Sequence, residues 1–227
     1  MAGGEPAGGQ EQELNRSTEQ RSTAIRIARE GHRFVFAALG LAAAAMAVGW
    51  FAAGTALLVA AAAVAAFFRD PERVPPDAEG VVVSPADGKV VDIGEPSDAE
   101  GRRLSIFLSP LDVHINRAPM NGRVSDVSYR AGHFFAAYKG KASDENERNA
   151  VELLDEAGRR LRIVQIAGFL ARRIVCYVNP GDSLRKGQRF GMIMFGSRVD
   201  LHLPGDAEIE VAPGQRVRGG ETIVARF

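Results

Sequence analysis

Residues 192–204, MIMFGSRVDLHLP, set a Gly-Ser pair between two runs that read as β-strand. A glycine inside a strand pattern marks a bulge or a close backbone approach. The serine directly after it adds a second reading, in which the Gly196–Ser197 peptide bond is itself a reactant. That chemistry needs a hydroxyl nucleophile, a base, and a way to stabilise an oxyanion. The GxSxG elbow of serine hydrolases is not met, because Val199 stands where the second glycine belongs.

Four histidines are available as bases. His32 borders an apolar stretch, and His202 alternates within RVDLHLP as an ordinary strand-surface residue. His133 follows Gly132 in a turn pattern and is a candidate substrate contact. His114 lies in SPLDVHINRAP, where alternation sets Asp112, His114 and Asn116 on one face. Asp87, in SPADGKV, reads on its own as the acid of an Asp-Gly turn. The lone Cys176, in the apolar run RRIVCYV, reads as a buried structural thiol. No Cys/His spacing or HExxH pattern suggests a metal site, so none is expected.

These groups must be carried by a chain of 227 residues whose 28 basic and 28 acidic side chains cancel. That balance gives no reason to expect a nucleic-acid partner. Residues 1–20 are polar and Gly-rich and read as a disordered tail. Arginines follow at 21, 26, 29 and 33, and then the uncharged run 34–68, closed by Arg69. One helix over that run would reach about 52 Å at 1.5 Å per residue, against a hydrocarbon core of about 30 Å. Two arms turning at GWFAAG, with Trp50 at the interface, fit better. Residues 21–69 therefore read as a basic flank and a membrane-anchoring hydrophobic helical hairpin, either two-pass or re-entrant. A buried hairpin in a soluble protein is the alternative. The flanking arginines set both termini on the cytoplasmic side.

From Val81 onward the pattern is extended: short, β-branched runs separated by Gly, Pro, Asp or Asn. About ten strands are expected, in a mainly β domain over 70–227 that is a compact sandwich or partly closed barrel. The segment 132–149 interrupts them as a loop with one helical turn. PGDSLRKGQRFGMI (180–193) and PGQRVRGGETIVAR (213–226) repeat one turn-and-strand unit, of the kind found in lipoyl- and biotinyl-carrying sandwiches. Those carriers need a lysine at the hairpin tip, and Met192 to Ser197 contain none. Carrier chemistry is not expected.

FFRDPERVPP, SPADGKV, LSPLDVHINRAPMNG, ASDENERN and IAGFLARRIVCYVNPGDSLRKGQRFGMIMFGSRVDLHLP together resemble the phosphatidylserine decarboxylase proenzymes, in their short form. The resemblance runs from about Phe67 to the C-terminus. It implies that the Ser197 hydroxyl attacks the Gly196 carbonyl, turning the amide into an ester. Elimination would then split the chain into a β chain, 1–196, and an α chain, 197–227, whose first residue becomes a pyruvoyl group, the expected cofactor. The amine of phosphatidylserine would form a Schiff base there, lose carbon dioxide and leave as phosphatidylethanolamine. The resemblance gives His114 the role of general acid and Asp87 a role in self-cleavage. Arg198, in the same block as Ser197, and His133 are expected to touch substrate, with Arg172, Arg173 and Arg189 as further candidate cations.

One departure matters. Arg117 stands where longer family members carry a second histidine, and a guanidinium cannot act as a base. The expected setting is the cytoplasmic side of a cell membrane, with the lipid substrate in the bilayer and higher assembly left open. Two other readings remain at this point. One is a membrane-anchored lipoyl-like adaptor without catalysis, although the short segment 194–212 between the repeats leaves no room for the coiled-coil hairpin of such adaptors. The other is a pyruvoyl decarboxylase acting on a different amino-acid head group.

Overall fold

The alternating runs after residue 80 pair as their periodicity requires. The computed structural model describes residues 26–95, 101–132, 146–168, 173–194 and 197–227. The polar tail 1–20, residues 133–145 of the interrupting segment with His133, Arg172 and Gly196 lie outside the described residues.

The chain is mainly β, and its largest sheet curls into a half-barrel. Eight antiparallel strands follow in the order Ser183–Leu184, Gly122–Arg130, Arg148–Leu154, Arg160–Ala167, Ser197–Leu203, Arg102–Leu108, Gly88–Gly94 and Arg216–Val217. The strand that begins with Ser197 is central. Its inward residues Val199 and Leu201 meet Ile106 and Leu104 on one side and Ile163 on the other, all fully buried. Two three-stranded sheets complete the domain. One joins Arg173–Cys176, Arg189–Met194 and Ile115–Arg117; the other joins Glu208–Ile209, Ile223–Arg226 and Val81–Val83.

The run AVELLDEAGRRLRIVQIAG, continuous by sequence pattern, folds as a hairpin. Asp155 accepts hydrogen bonds from the backbone N–H groups of Ala157 and Arg159, which turns the chain between its two strands.

The two turn-and-strand repeats prove to be halves of larger units. SPADGKV (84–90) packs with the repeat starting at Pro213, and APMNGRV (118–124) with the repeat starting at Pro180. Gly214 N–H donates to Val90 O and Gly181 N–H to Val124 O, both at 2.8 Å. Gly220 N–H donates to Ser84 O and Gly187 N–H to Ala118 O, again both at 2.8 Å. The four glycines share the left-handed region, with φ of +92° and +79° in one unit and +99° and +77° in the other. Only glycine adopts that backbone without strain, which is why they recur at the same offsets. Val81–Val83 and Ile115–Arg117 enter the two units as equivalent strands.

The apolar N-terminal run forms two helices, Arg29–Ala47 and Phe51–Phe67, folded back on each other. Phe36, Trp50, Phe51 and Val59 are each about two-thirds exposed, so the hairpin presents an apolar surface along much of its length. Among the described residues no helix is long and apolar enough to cross a membrane. At the base of the hairpin Ala28, Phe67 and Phe68 pack with Val113, Ile115, Met192 and Met194 of the β domain.

Candidate active site

Ser197 opens the central strand opposite Leu108 and Ala167 and has no exposed surface. Its Oγ has no hydrogen-bond partner among the described residues. Leaving a buried hydroxyl unpaired costs about 1–3 kcal/mol, so the position is not one that packing alone would choose. Directly across the ladder, Asn146 Nδ2 donates to Ala167 O at 2.7 Å and pins the neighbouring strand end. That gives the ASDENERN block a bracing role beside Ser197.

His114 is fully buried just before the Ile115–Arg117 strand. Its backbone O accepts from Ile193 N–H at 3.3 Å, which ties it to the strand leading toward Ser197. Its Nδ1 lies 2.9 Å from Asp112 O. A carbonyl only accepts, so Nδ1 carries the proton and Nε2 is left with a bare lone pair. Nε2 is buried and has no partner among the described residues. Phe67 covers the ring, centroid to centroid at 4.3 Å. Burial pushes the imidazole down to about 4, and the nearby Arg69 charge acts in the same direction against the pull of Asp112. The resting histidine is therefore neutral and a proton acceptor. The sequence reading had it as an acid, and it reaches that state only after gaining a proton.

The turn before His114 is held from both sides. Asp112 accepts from Ser109 N–H at 2.8 Å and from the exposed Arg216 at 2.9 Å. Arg69, at the end of the second helix, donates to Leu111 O at 2.6 Å and to Ala66 O at 2.7 Å.

Asp87 Oδ1 accepts from Gly219 N–H at 2.7 Å, and Oδ2 accepts from Arg73 at 2.8 Å. Arg73 also reaches Glu221 at 2.9 Å. Burial pushes the Asp87 carboxyl above its ordinary value, and the Arg73 guanidinium works against it. Asp87 thus caps a turn, as its Asp-Gly setting suggests, and at the same time anchors an ion pair.

Arg117 is buried and acts as a clamp. It donates to Gly187 O at 2.9 Å, Pro71 O at 2.7 Å and Asp70 Oδ1 at 3.2 Å. Arg189 also binds Asp70, at 2.8 Å, and Glu72, at 3.1 Å. Both side chains fasten the segment after the helical hairpin to the β domain. Arg198 is buried and paired with Asp200 at 2.8 Å. Strand alternation places that pair on the sheet face opposite the Ser197 side chain. Arg173 is exposed. His133, Gly196 and Arg172 fall outside the described residues.

Three features escaped the sequence reading. Phe67 reads as the end of an apolar helix, and nothing local ties it to His114. Arg73 sits in a loop and meets Asp87 only through the fold. Asn149 and Gln165 form, with Asn116, a chain of buried amides: Asn149 Nδ2 to Gln165 Oε1 at 2.9 Å, then Gln165 Nε2 to Asn116 Oδ1 at 2.8 Å. A lone glutamine within the apolar strand RIVQIA was the available signal.

Comparison with known proteins places this geometry. A family model described as phosphatidylserine decarboxylase matches residues 60–225. A phosphatidylserine decarboxylase proenzyme of Geobacter sp. (strain M21) is 44% identical over 90% of this chain and 98% of its own length. The proenzyme of Symbiobacterium thermophilum is 48% identical over 88% of this chain and 95% of its own. That of Rhodococcus erythropolis is 48% identical over 87% and 86%.

Proposed function

The chain belongs to the phosphatidylserine decarboxylase family, and from that premise we propose that it cuts itself between Gly196 and Ser197 and then converts phosphatidylserine to phosphatidylethanolamine. The observation that carries the reading is a pair of buried atoms without a partner among the described residues, Ser197 Oγ and His114 Nε2. Unpaired polar atoms in a core are costly to keep, and a reaction at residue 197 gives both of them work.

The residues present fit a pyruvoyl group at position 197, since the strand start is buried and His114, with its bare imidazole nitrogen, is bonded through its backbone to Ile193 on the strand that leads toward Ser197. When formed, that group supplies a carbonyl that captures an amine and draws electrons from a breaking carbon–carboxylate bond. His114 supplies the proton traffic. Its neutral Nε2 takes a proton from the incoming ammonium, and the imidazolium then returns it to the carbon that has lost carbon dioxide. The Phe67 ring keeps water from the imidazole and favours release of neutral carbon dioxide from a carboxylate. Asp87 serves self-cleavage through its charge, beyond its turn-capping role. Arg69, whose charge His114 feels, stands at the hairpin base as the cation for the lipid phosphodiester.

The helical hairpin fits a lipid surface without spanning it. The second helix, Phe51–Phe67, is about 26 Å long at 1.5 Å per residue, short of the roughly 30 Å hydrocarbon core. Its exposed Trp50, Phe51 and Val59 suit insertion into one leaflet, with the domain on the cytoplasmic side. The Phe67–His114 contact then sets the reacting groups at head-group depth.

Denaturing mass spectrometry tests the proposal directly. The purified protein should give fragments 1–196 and 197–227, the smaller with a pyruvoyl N-terminus. The Ser197→Ala chain should stay whole at 24.3 kDa and release no carbon dioxide from phosphatidylserine. Wild-type protein that turns over lipid as one uncut chain would overturn it.

A further inference from the structure

The amide chain Asn149–Gln165–Asn116 has no place in the scheme above, and the fold itself does not call for it. All three residues are buried, Gln165 and Asn116 completely. In the other repeat unit the position equivalent to Asn116 is Val82, also completely buried. An apolar side chain therefore satisfies that place in the architecture, and three amides in a core carry a desolvation cost that valine would avoid.

The chain has a direction. Asn149 donates to Gln165, and Gln165 donates to Asn116, so each amide fixes the orientation of the next. What remains at the end is Asn116 Nδ2, a buried donor with no partner among the described residues. Gly191 makes room for the relay, since a Cβ there would sit 2.9 Å from Gln165 Nε2.

The register says what this donor can serve. Gln165 lies directly opposite Val199, and Ala167 directly opposite Ser197. Residues two apart on a strand share a face, so Gln165 and Ser197 point to the same side, one diagonal step apart. Asn116 is bonded to Gln165 on that side. A buried donor and a buried hydroxyl oxygen, each without a partner among the described residues, therefore occupy the same inner face.

We propose that this amide relay presents the Asn116 N–H to the Ser197 oxygen during self-cleavage. The inference rests on the reading of Ser197 as the self-cleaving residue. In the step concerned, a bond forms between Ser197 Oγ and the Gly196 carbonyl carbon. The Gly196–Ser197 C–N bond breaks, and the hydroxyl proton ends on the freed nitrogen. A donor held on Oγ orients it for attack and stabilises the negative charge it gains as its proton leaves. In that step Asn116 would touch the reacting atom, and Gln165 and Asn149 are positioning residues that keep the amide from flipping.

The test follows cleavage of freshly synthesised full chain by denaturing mass spectrometry, with circular dichroism to confirm folding. Asn116→Val copies the other repeat unit. Asn116→Asp keeps the acceptor for Gln165 and removes only the donor. Both should slow cleavage by about a hundredfold at neutral pH, the scale of losing one preorganised donor. Relative to wild type at each pH, Asn116→Asp should recover as its carboxyl becomes protonated and able to donate, while Asn116→Val should not. If Asn116→Val does not fold, the pH recovery of Asn116→Asp decides alone. Cleavage at the wild-type rate in either folded variant at neutral pH overturns the relay. A wild-type chain that never cleaves overturns instead the reading on which the relay rests.

Discussion

The two repeat units share a backbone and differ in what hangs from it. In the unit built on 118–124, Asn121 Oδ1 accepts the N–H of Lys186 at 2.8 Å. In the unit built on 84–90, Asp87 Oδ1 accepts the N–H of Gly219 at 2.7 Å. The turn needs one acceptor, and a neutral amide provides it. The negative charge of Asp87, partly buried and paired to Arg73, is an addition that the turn does not require. On the strands the contrast runs the other way. Gly80, Val82 and Val83 in one unit stand where His114, Asn116 and Arg117 stand in the other. Each unit thus serves as an internal control for the other: where both agree the residue serves the fold, and where they differ the residue is a candidate for chemistry or for docking the helical hairpin.

The strongest break of the comparison is at His114. Its counterpart Gly80 has no side chain, so His114→Ala should leave the strand intact and remove only the imidazole. Carbon dioxide release by self-cleaved protein should then fall by about a thousandfold, the scale of losing a general acid–base group. Turnover near the wild-type rate would return His114 to a purely structural role.

Asp87→Asn makes the two turns alike and should separate capping from charge. We expect self-cleavage to slow by about a hundredfold, the low end for removing a positioned acid–base group. Thermal unfolding should shift by only about 3 °C, corresponding to about 1 kcal/mol, because Arg73 keeps Glu221 as a partner. Cleavage at full rate would mean the carboxylate serves only the ion pair.

The buried histidine also leaves a mark on stability. Unfolded, it takes a proton near pH 6.5; folded, only near 4. Between those values the unfolded chain binds more protons, so stability is fully present above pH 6.5 and falls as the pH drops toward 4. The loss should approach about 3 kcal/mol at the acid end. Urea titrations of the uncut Ser197→Ala chain at pH 7.5, 6 and 5 should show this slope, and adding His114→Gln should flatten it. Identical slopes in the two chains would place His114 in water-like surroundings.

The smallest effect is expected from the reciprocal change. Asn121 is exposed, so Asn121→Asp should alter stability by no more than about 0.5 kcal/mol and leave cleavage untouched. A large effect on cleavage would show that a charge at either turn reaches the site, and the units would no longer be distinct in function.

Much of this was legible in the chain. The Gly-Ser pair, the HIN motif and the turn-and-strand repeat announced themselves through residue types that are costly or unusual inside strands. The helical hairpin followed from a charge-free run too long for one span. Arg117 was legible as a departure but not in its role, because a clamp on Asp70, Pro71 and Gly187 joins residues that sequence spacing cannot bring together. The resting protonation of His114 was not legible for a related reason. A histidine's resting protonation depends on its burial, and that burial comes from Phe67 on a distant helix.

Sequence by itself determined the periodic elements, the turn glycines and the Gly-Ser pair proposed to react, since alternation, left-handed backbone and residue type are local properties. Tertiary structure alone decided which polar groups go unpaired. Ser197 Oγ, His114 Nε2 and Asn116 Nδ2 are buried without a partner among the described residues, which sheet register and packing decide and residue type does not. That outcome is a property of the assembled core, where hydrogen bonds must be met from within or kept in reserve for a reaction.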